Sequence, residues 1–151
     1  MKIAIGSDHG GYELKDGLIK FLREEGYEVN NLGTHSKEAC DYPVIGFDVA
    51  KAVSEGSAER GVLICKTGVG MVIIANKIHG VRAAACYDTE IAKSSREHND
   101  CNVIVLAANY TDISKAKDIV KLWLETEHIG ERHARRVSQI SDLESKLKEK
   151  R

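Results

Sequence analysis

The chain predicts an α/β domain of three layers, with a five-stranded parallel sheet between helices. Short β-branched runs alternate with amphipathic stretches along the whole length, the pattern of strands joined by helical crossovers. The run Val62-Leu63-Ile64 is apolar throughout, as strands covered on both faces are. At 151 residues, 42% hydrophobic and 30% charged, the chain has the size and balance of one globular domain with one core, so residues 1–151 are read as a single domain.

The elements follow in order. Lys2 to Gly6 is the first strand, ending in the polar turn Ser7-Asp8-His9-Gly10-Gly11. Leu14, Leu18, Phe21 and Leu22 then share one helical face, and Gly26 stops that helix. Tyr27-Glu28-Val29 is a second strand, and Val44, Phe47, Val49, Ala50 and Val53 mark a helix after Pro43. Gly61 to Cys65 is the third strand, from which Gly68-Val69-Gly70 turns tightly into a helix reaching Asn76. Val81 to Cys86 and Val103 to Leu106 are the fourth and fifth strands, with a helix at about Thr89 to Glu97 between them. Ile113, Ala116, Ile119, Val120, Trp123 and Leu124 have helical spacing. Val137, Ile140, Leu143 and Leu147 repeat it in a C-terminal helix of about 136–148, and Lys146 to Arg151 form a solvated, fraying end.

Several functions are excluded. A net charge of −1 offers no global field to draw the chain to nucleic acid or anionic lipid. Apolar runs such as Val72-Ile73-Ile74-Ala75 are too short to span a bilayer. The apolar start is broken at once by Ser7-Asp8-His9, unlike a signal peptide, so the expected location is the cytoplasm. Cys40, Cys65, Cys86 and Cys101 form no C-x-x-C pair and suit no zinc spacing; free thiols, mostly buried filler, are expected.

Open parallel sheets bind ligands beyond the carboxyl ends of their strands. That rule selects Asp8-His9, Cys65 to Gly70, Cys86-Tyr87-Asp88 and the segment after Leu106. In Cys65-Lys66-Thr67-Gly68-Val69-Gly70 a thiol at a strand end adjoins free backbone N–H groups at a helix start. Those donors stabilise negative charge on a ligand oxygen or a thiolate. The same segment also reads as a core cysteine beside a permissive glycine turn, and it is no phosphate-loop motif. His98, in His98-Asn99-Asp100, is either a proton carrier or a helix-terminal histidine facing the dipole. Arg132 and Arg136, flanking His133, lie four residues apart on one helical face, as a phosphate clamp or a solvated basic patch. Asp8 also fits a helix N-cap, and Pro43, after Asp41-Tyr42, a helix start.

Taken in order, Ser7-Asp8-His9-Gly10-Gly11, Gly33-Thr34, Asp41-Tyr42-Pro43, Cys65-x-Thr67-Gly68-Val69-Gly70, Ala75-Asn76-Lys77, Gly80-Val81-Arg82-Ala83, His98-Asn99 and Arg132-His133-x-x-Arg136 resemble the type B ribose-5-phosphate isomerases, whose relatives include galactose- and allose-6-phosphate isomerases. The resemblance spans Lys2 to about Val137. It implies a Rossmann-like α/β/α fold, no metal or organic cofactor, and a homodimer or tetramer with active sites shared between subunits. By matching position, Cys65 would be the base moving a proton between C1 and C2, and the Thr67, Gly68, Val69 and Gly70 turn would hold the enediolate. His98, with Asp8, would act at the ring oxygen. His9, Asp41, Tyr42 and Asn99 would touch the sugar, and Arg132 and Arg136, with His133 nearby, the phosphate.

Two positions depart from the family's pattern: Lys66 stands where a small residue is usual, and Asn109 where an arginine is. Both bear on the substrate more than on the reaction, with Lys66 counted among the substrate-binding candidates. The reading is an isomerase of ribose 5-phosphate, with a six-carbon sugar phosphate as the alternative substrate. A non-catalytic phosphosugar binder would need neither Cys65 nor His98. A nucleotide-binding domain would need a G-x-G-x-x-G that Gly6 to Gly11 does not supply.

Overall fold

A computed structural model describes residues 1–149. Its elements are β1 (Lys2–Ser7), α1 (Tyr12–Glu24), β2 (Glu28–Asn31), α2 (Tyr42–Ser54), β3 (Arg60–Cys65), α3 (Val69–Ala75), β4 (Ala83–Ala85), α4 (Thr89–Glu97), β5 (Val103–Ala107), α5 (Ile113–Glu125) and α6 (Arg132–Glu149), with one 3-10 turn at His9–Gly11. All strands pair in parallel, in the order β2-β1-β3-β5-β4. The three-layer α/β reading is borne out.

Two cores cover the sheet. Ile3, Ile5, Val62, Ile64, Ile104 and Leu106 face α1, α4 and α5, where Leu18, Leu22, Ala92, Ile119 and Trp123 meet them. Ala4, Leu63, Val103 and Val105 face α2 and α3 through Val49, Ala50, Val53, Met71 and Ala75. Each large side chain so buried contributes about 1.5–3 kcal/mol of transfer free energy. Helix starts are capped as their residue types require: Asp88 accepts from the Ile91 N–H and Asp112 from the Lys115 N–H, both at 2.8 Å.

Strand β1 lies between β2 and β3, so successive crossovers leave it in opposite directions. This reversal opens a crevice at the carboxyl ends of β1 and β3, the place where α/β sheets bind ligands.

Four expectations are corrected. Val44 and Phe47 do not face the core of α2; they are 65% and 42% exposed, and Gly46, Val49, Ala50 and Val53 form its buried side. Strand β2 begins at Glu28 and runs on to Asn31. Strand β4 is limited to three residues at the sheet edge, with Val81 and Cys86 buried beside it. Helix α6 begins at Arg132 rather than near 136, and none of its described residues is buried. Its Ile140, Leu143 and Leu147 are 50%, 59% and 65% exposed, an apolar stripe with no core beneath it. Within the stretch expected to fray, residues to Glu149 are helical; Lys150 and Arg151 lie outside the described residues.

Candidate active site

The loops after β1 and β3 meet at the crevice. Asp8 caps the 3-10 turn, its Oδ1 accepting the Gly11 N–H at 3.2 Å, and its own N–H donates to Ile64 O at 3.3 Å. The Cys40 N–H donates to His9 Nδ1 at 3.2 Å. Nδ1 is thus an acceptor, which leaves the neutral ring's proton on Nε2.

Cys65 ends β3 almost completely buried, and the Gly68 N–H donates to its Sγ at 3.1 Å. Gly68 holds φ +83°, a conformation costly for any residue with a Cβ, and this bend starts α3 with its N-terminus beside the sulfur. Thr67 Oγ1 accepts the Val69 N–H at 3.3 Å. Together Asp8, His9, Tyr42, Cys65, Lys66, Thr67 and Gly70 line a cleft of about 190 Å³. A larger cavity of about 450 Å³ lies away from them, between Asn76-Lys77-His79 and Glu144-Leu147-Lys148 of α6, and contains no nucleophile.

Lys66 is exposed, and its stem runs across Gly10, where a Cβ would stand 2.6 Å from Lys66 Cγ. Its carbonyl accepts the Asn109 N–H at 3.0 Å, so the two departures from the family's pattern are neighbours on adjacent strand ends. Asp41 precedes α2 without a side-chain cap bond and does not line the cleft, and Val69 is exposed beside it.

The other predicted residues lie elsewhere. A crossover helix runs back along the sheet, so α4 ends at the amino edge of the strands. There Asn102 O accepts the N–H of Gly61, four residues before Cys65. His98 caps that helix end, with Asn99 exposed next to it. Ile129 N–H and His128 Nδ1 both bond Glu97 O, at 3.1 and 2.9 Å, which docks the loop before α6. His133 thereby stacks on His98 with ring centroids 4.3 Å apart and planes 13° apart. Arg132 and Arg136 are exposed alongside and take part in none of the ion pairs of the described residues. Desolvation, then the charges of His98, Arg132, Arg136 and His128, hold His133 below the ordinary histidine value.

Burial separates the four thiols. It pushes Cys86 up to about 12 and Cys101 up to about 11, so both are inert filler as expected. Only Cys65 lines the cleft. Among the described residues no group of three or more His, Cys, Asp or Glu could hold a metal ion, and no helix is long and apolar enough to cross a membrane.

Three supporting residues escaped the sequence. Lys15, fully buried, donates to Asn31 Oδ1 at 2.9 Å and Thr34 O at 2.8 Å, holding the loop that pairs with Ser7 at the end of β1. Its signal was present, since Lys15, Leu18, Ile19 and Leu22 form the buried i, i+3, i+4, i+7 stripe of α1. Tyr87 OH donates to Thr67 O at 3.1 Å, from a strand end the ligand rule had already selected. Arg96, buried over Trp123, donates to Asp100 Oδ1, Cys101 O and Thr126 O, and so ties the His98-Asn99 turn to the loop before α6.

A buried thiol among backbone donors, in the switch-point crevice of a parallel sheet and without a metal cluster, defines an α/β enzyme of acid–base rather than nucleotide chemistry. The model of the ribose/galactose isomerase family matches residues 3–140. A ribose-5-phosphate isomerase B from Clostridium thermocellum has the same fold with a TM-score of 0.95 and 50% identity, covering 97% of this chain and 99% of that one. The ribose-5-phosphate isomerase B of Escherichia coli is 43% identical over 96% of this chain and 97% of its own length. A D-erythrulose-4-phosphate isomerase from Pectobacterium atrosepticum is 36% identical over 98% of both chains. The chain belongs to the ribose/galactose isomerase family and is a sugar-phosphate isomerase.

Proposed function

We propose that the chain, acting as one cytoplasmic domain, interconverts ribose 5-phosphate and ribulose 5-phosphate as a homodimer whose active sites each combine two subunits. One subunit supplies the cleft. Cys65, as thiolate, takes the C2 proton of the open aldose and returns it to C1, while N–H groups of the Thr67 to Gly70 turn hold the enediolate oxygen. Such donors contribute about 3–4 kcal/mol each to transition-state stabilisation. His9, Tyr42 and Asp41 orient the sugar, and Lys66 adds a cation at the rim. The partner subunit supplies His98, which acts with Asp8 at the ring oxygen, Asn99 on the sugar, and Arg132, His133 and Arg136 around the phosphate. Binding energy at the phosphate then positions C1 and C2 over the thiol.

The observation that carries this reading is the division of the candidates between opposite edges of one sheet. The 190 Å³ cleft is small for a ligand site, has no anion clamp of its own and opens to solvent. Helix α6 carries the clamp together with an apolar stripe that has no cover. A second copy meets both needs. The test measures ketose formation side by side from ribose 5-phosphate, allose 6-phosphate and galactose 6-phosphate, and aldose formation from erythrulose 4-phosphate. The highest kcat/KM is expected on ribose 5-phosphate; a tenfold preference for another sugar would reassign the substrate.

A further inference from the structure

His98 and His133 come from elements 35 positions apart, and the docked loop brings their rings into parallel contact at 4.3 Å. Among the described residues no hydrogen bond reaches either ring nitrogen of His98, so this stack is what orients the ring. The groups facing His133 are His98 on α4, His128 on the loop, and Arg132 and Arg136 on its own helix, all cationic or able to become so. Two imidazolium rings stacked face to face repel, so the pair takes up its first proton far more readily than its second. A neutral ring under an imidazolium instead presents a polarisable face to the charge.

We propose that His133 is a positioning residue for proton transfer, the neutral platform on which His98 carries the proton it gives to the sugar's ring oxygen. The inference rests on the proposed function, in which His98 opens the ring. In that step the C1–ring oxygen bond breaks and the imidazolium proton passes to the departing oxygen. The C1 hydroxyl proton passes to Asp8 as the aldehyde forms. No net charge is created, and the proton returns from Asp8 to His98 before the next turnover. A second proton on the pair would remove the platform, so protonation of His133 at acid pH works against the step.

The experiment uses the full-length enzyme and its His133→Ala and His133→Phe variants with two reactions. Conversion of ribose 5-phosphate requires ring opening. Exchange of the C1 hydrogen of ribulose 5-phosphate with deuterated water does not, because esterification of its C5 oxygen keeps that ketose open. With His133→Ala, kcat for ribose 5-phosphate should fall about tenfold, KM should change less than about threefold, and exchange should persist. His133→Phe, which keeps a flat uncharged ring, should recover most of the loss and move the acid limb of kcat/KM to lower pH. The inference is overturned if His133→Ala slows both reactions equally or neither, or if His133→Phe is as impaired as His133→Ala. Equal slowing would make His133 a phosphate ligand. A wild-type enzyme that does not isomerise ribose 5-phosphate overturns the substrate assignment alone; the variants are then compared on the sugar phosphate it does turn over.

Discussion

Mixing two inactive variants should restore activity. Cys65 ends the six-residue strand β3, and His98 lies at the edge where that strand begins. At about 3.3 Å per residue the separation is roughly 20 Å, against a proton-transfer reach of about 3 Å. One chain cannot bring both groups to one sugar. Cys65→Ala and His98→Ala should each be about a thousandfold impaired as homodimers. When the two are mixed in equal amounts and allowed to exchange subunits, half of the dimers are mixed. Each mixed dimer then has one site with both lesions and one site with neither. Activity should rise to about a quarter of wild type, measured as ketose formation per chain. The reverse experiment supplies a control: wild type exchanged with a Cys65→Ala/His98→Ala chain should lose half its activity, because every mixed dimer then has two damaged sites. No recovery in the first mixture, with subunit exchange verified, would refute the shared site.

Other expectations follow from the same geometry. Cys65→Ala should lower kcat while leaving substrate binding intact, as equilibrium binding of ribose 5-phosphate would reveal; activity within tenfold of wild type would make the thiol core filler. Arg132→Ala or Arg136→Ala should raise KM at least about tenfold, with poor rescue by lysine, and inorganic phosphate should compete with substrate in the wild type. A double Ala variant with unchanged KM would mark the pair as solvated surface. Iodoacetamide at pH 8 should leave Cys86 and Cys101 unmodified in the native protein, because burial raises both thiols and leaves a thiolate fraction of about one in a thousand or less. Mass spectrometry of the labelled chain checks this, and rapid labelling of either would contradict the burial.

Local chemistry made much of the fold legible. The apolar runs of β3 and β5, the Asp-capped starts of α4 and α5, and the glycine turn after Cys65 each declare themselves within a few residues. What could not be read depends on partners distant in sequence. Val44, Phe47 and Ile140 have the periodicity of core residues, yet the surface they prepare is outside the chain's own core. Periodicity reports that a face is apolar, not what covers it. The ligand motifs were legible one by one, but their division into two groups was not, because strand order sets which edge each loop reaches and strand order has no local code. Lys15 was hidden for a related reason: a lysine in an apolar stripe reads as a snorkelling side chain unless the acceptors at Asn31 and Thr34 are known to wait beneath it.

Helix α6 makes dilution a variable of the chemistry. Eighteen residues without a buried side chain hold to the α/β body through few contacts, among them Glu144 on the Gly80 N–H and the His98–His133 stack. A helix of that length is marginal in water by itself, so most of its stability has to be supplied by packing. If a second copy provides that packing, the law of mass action governs how well the helix is ordered. The α/β body keeps its fold at any concentration, whereas the arginine-bearing segment stiffens only as chains associate. Specific activity would then fall on dilution below the dissociation constant, with loss of affinity for the phosphorylated end preceding any loss of the sheet.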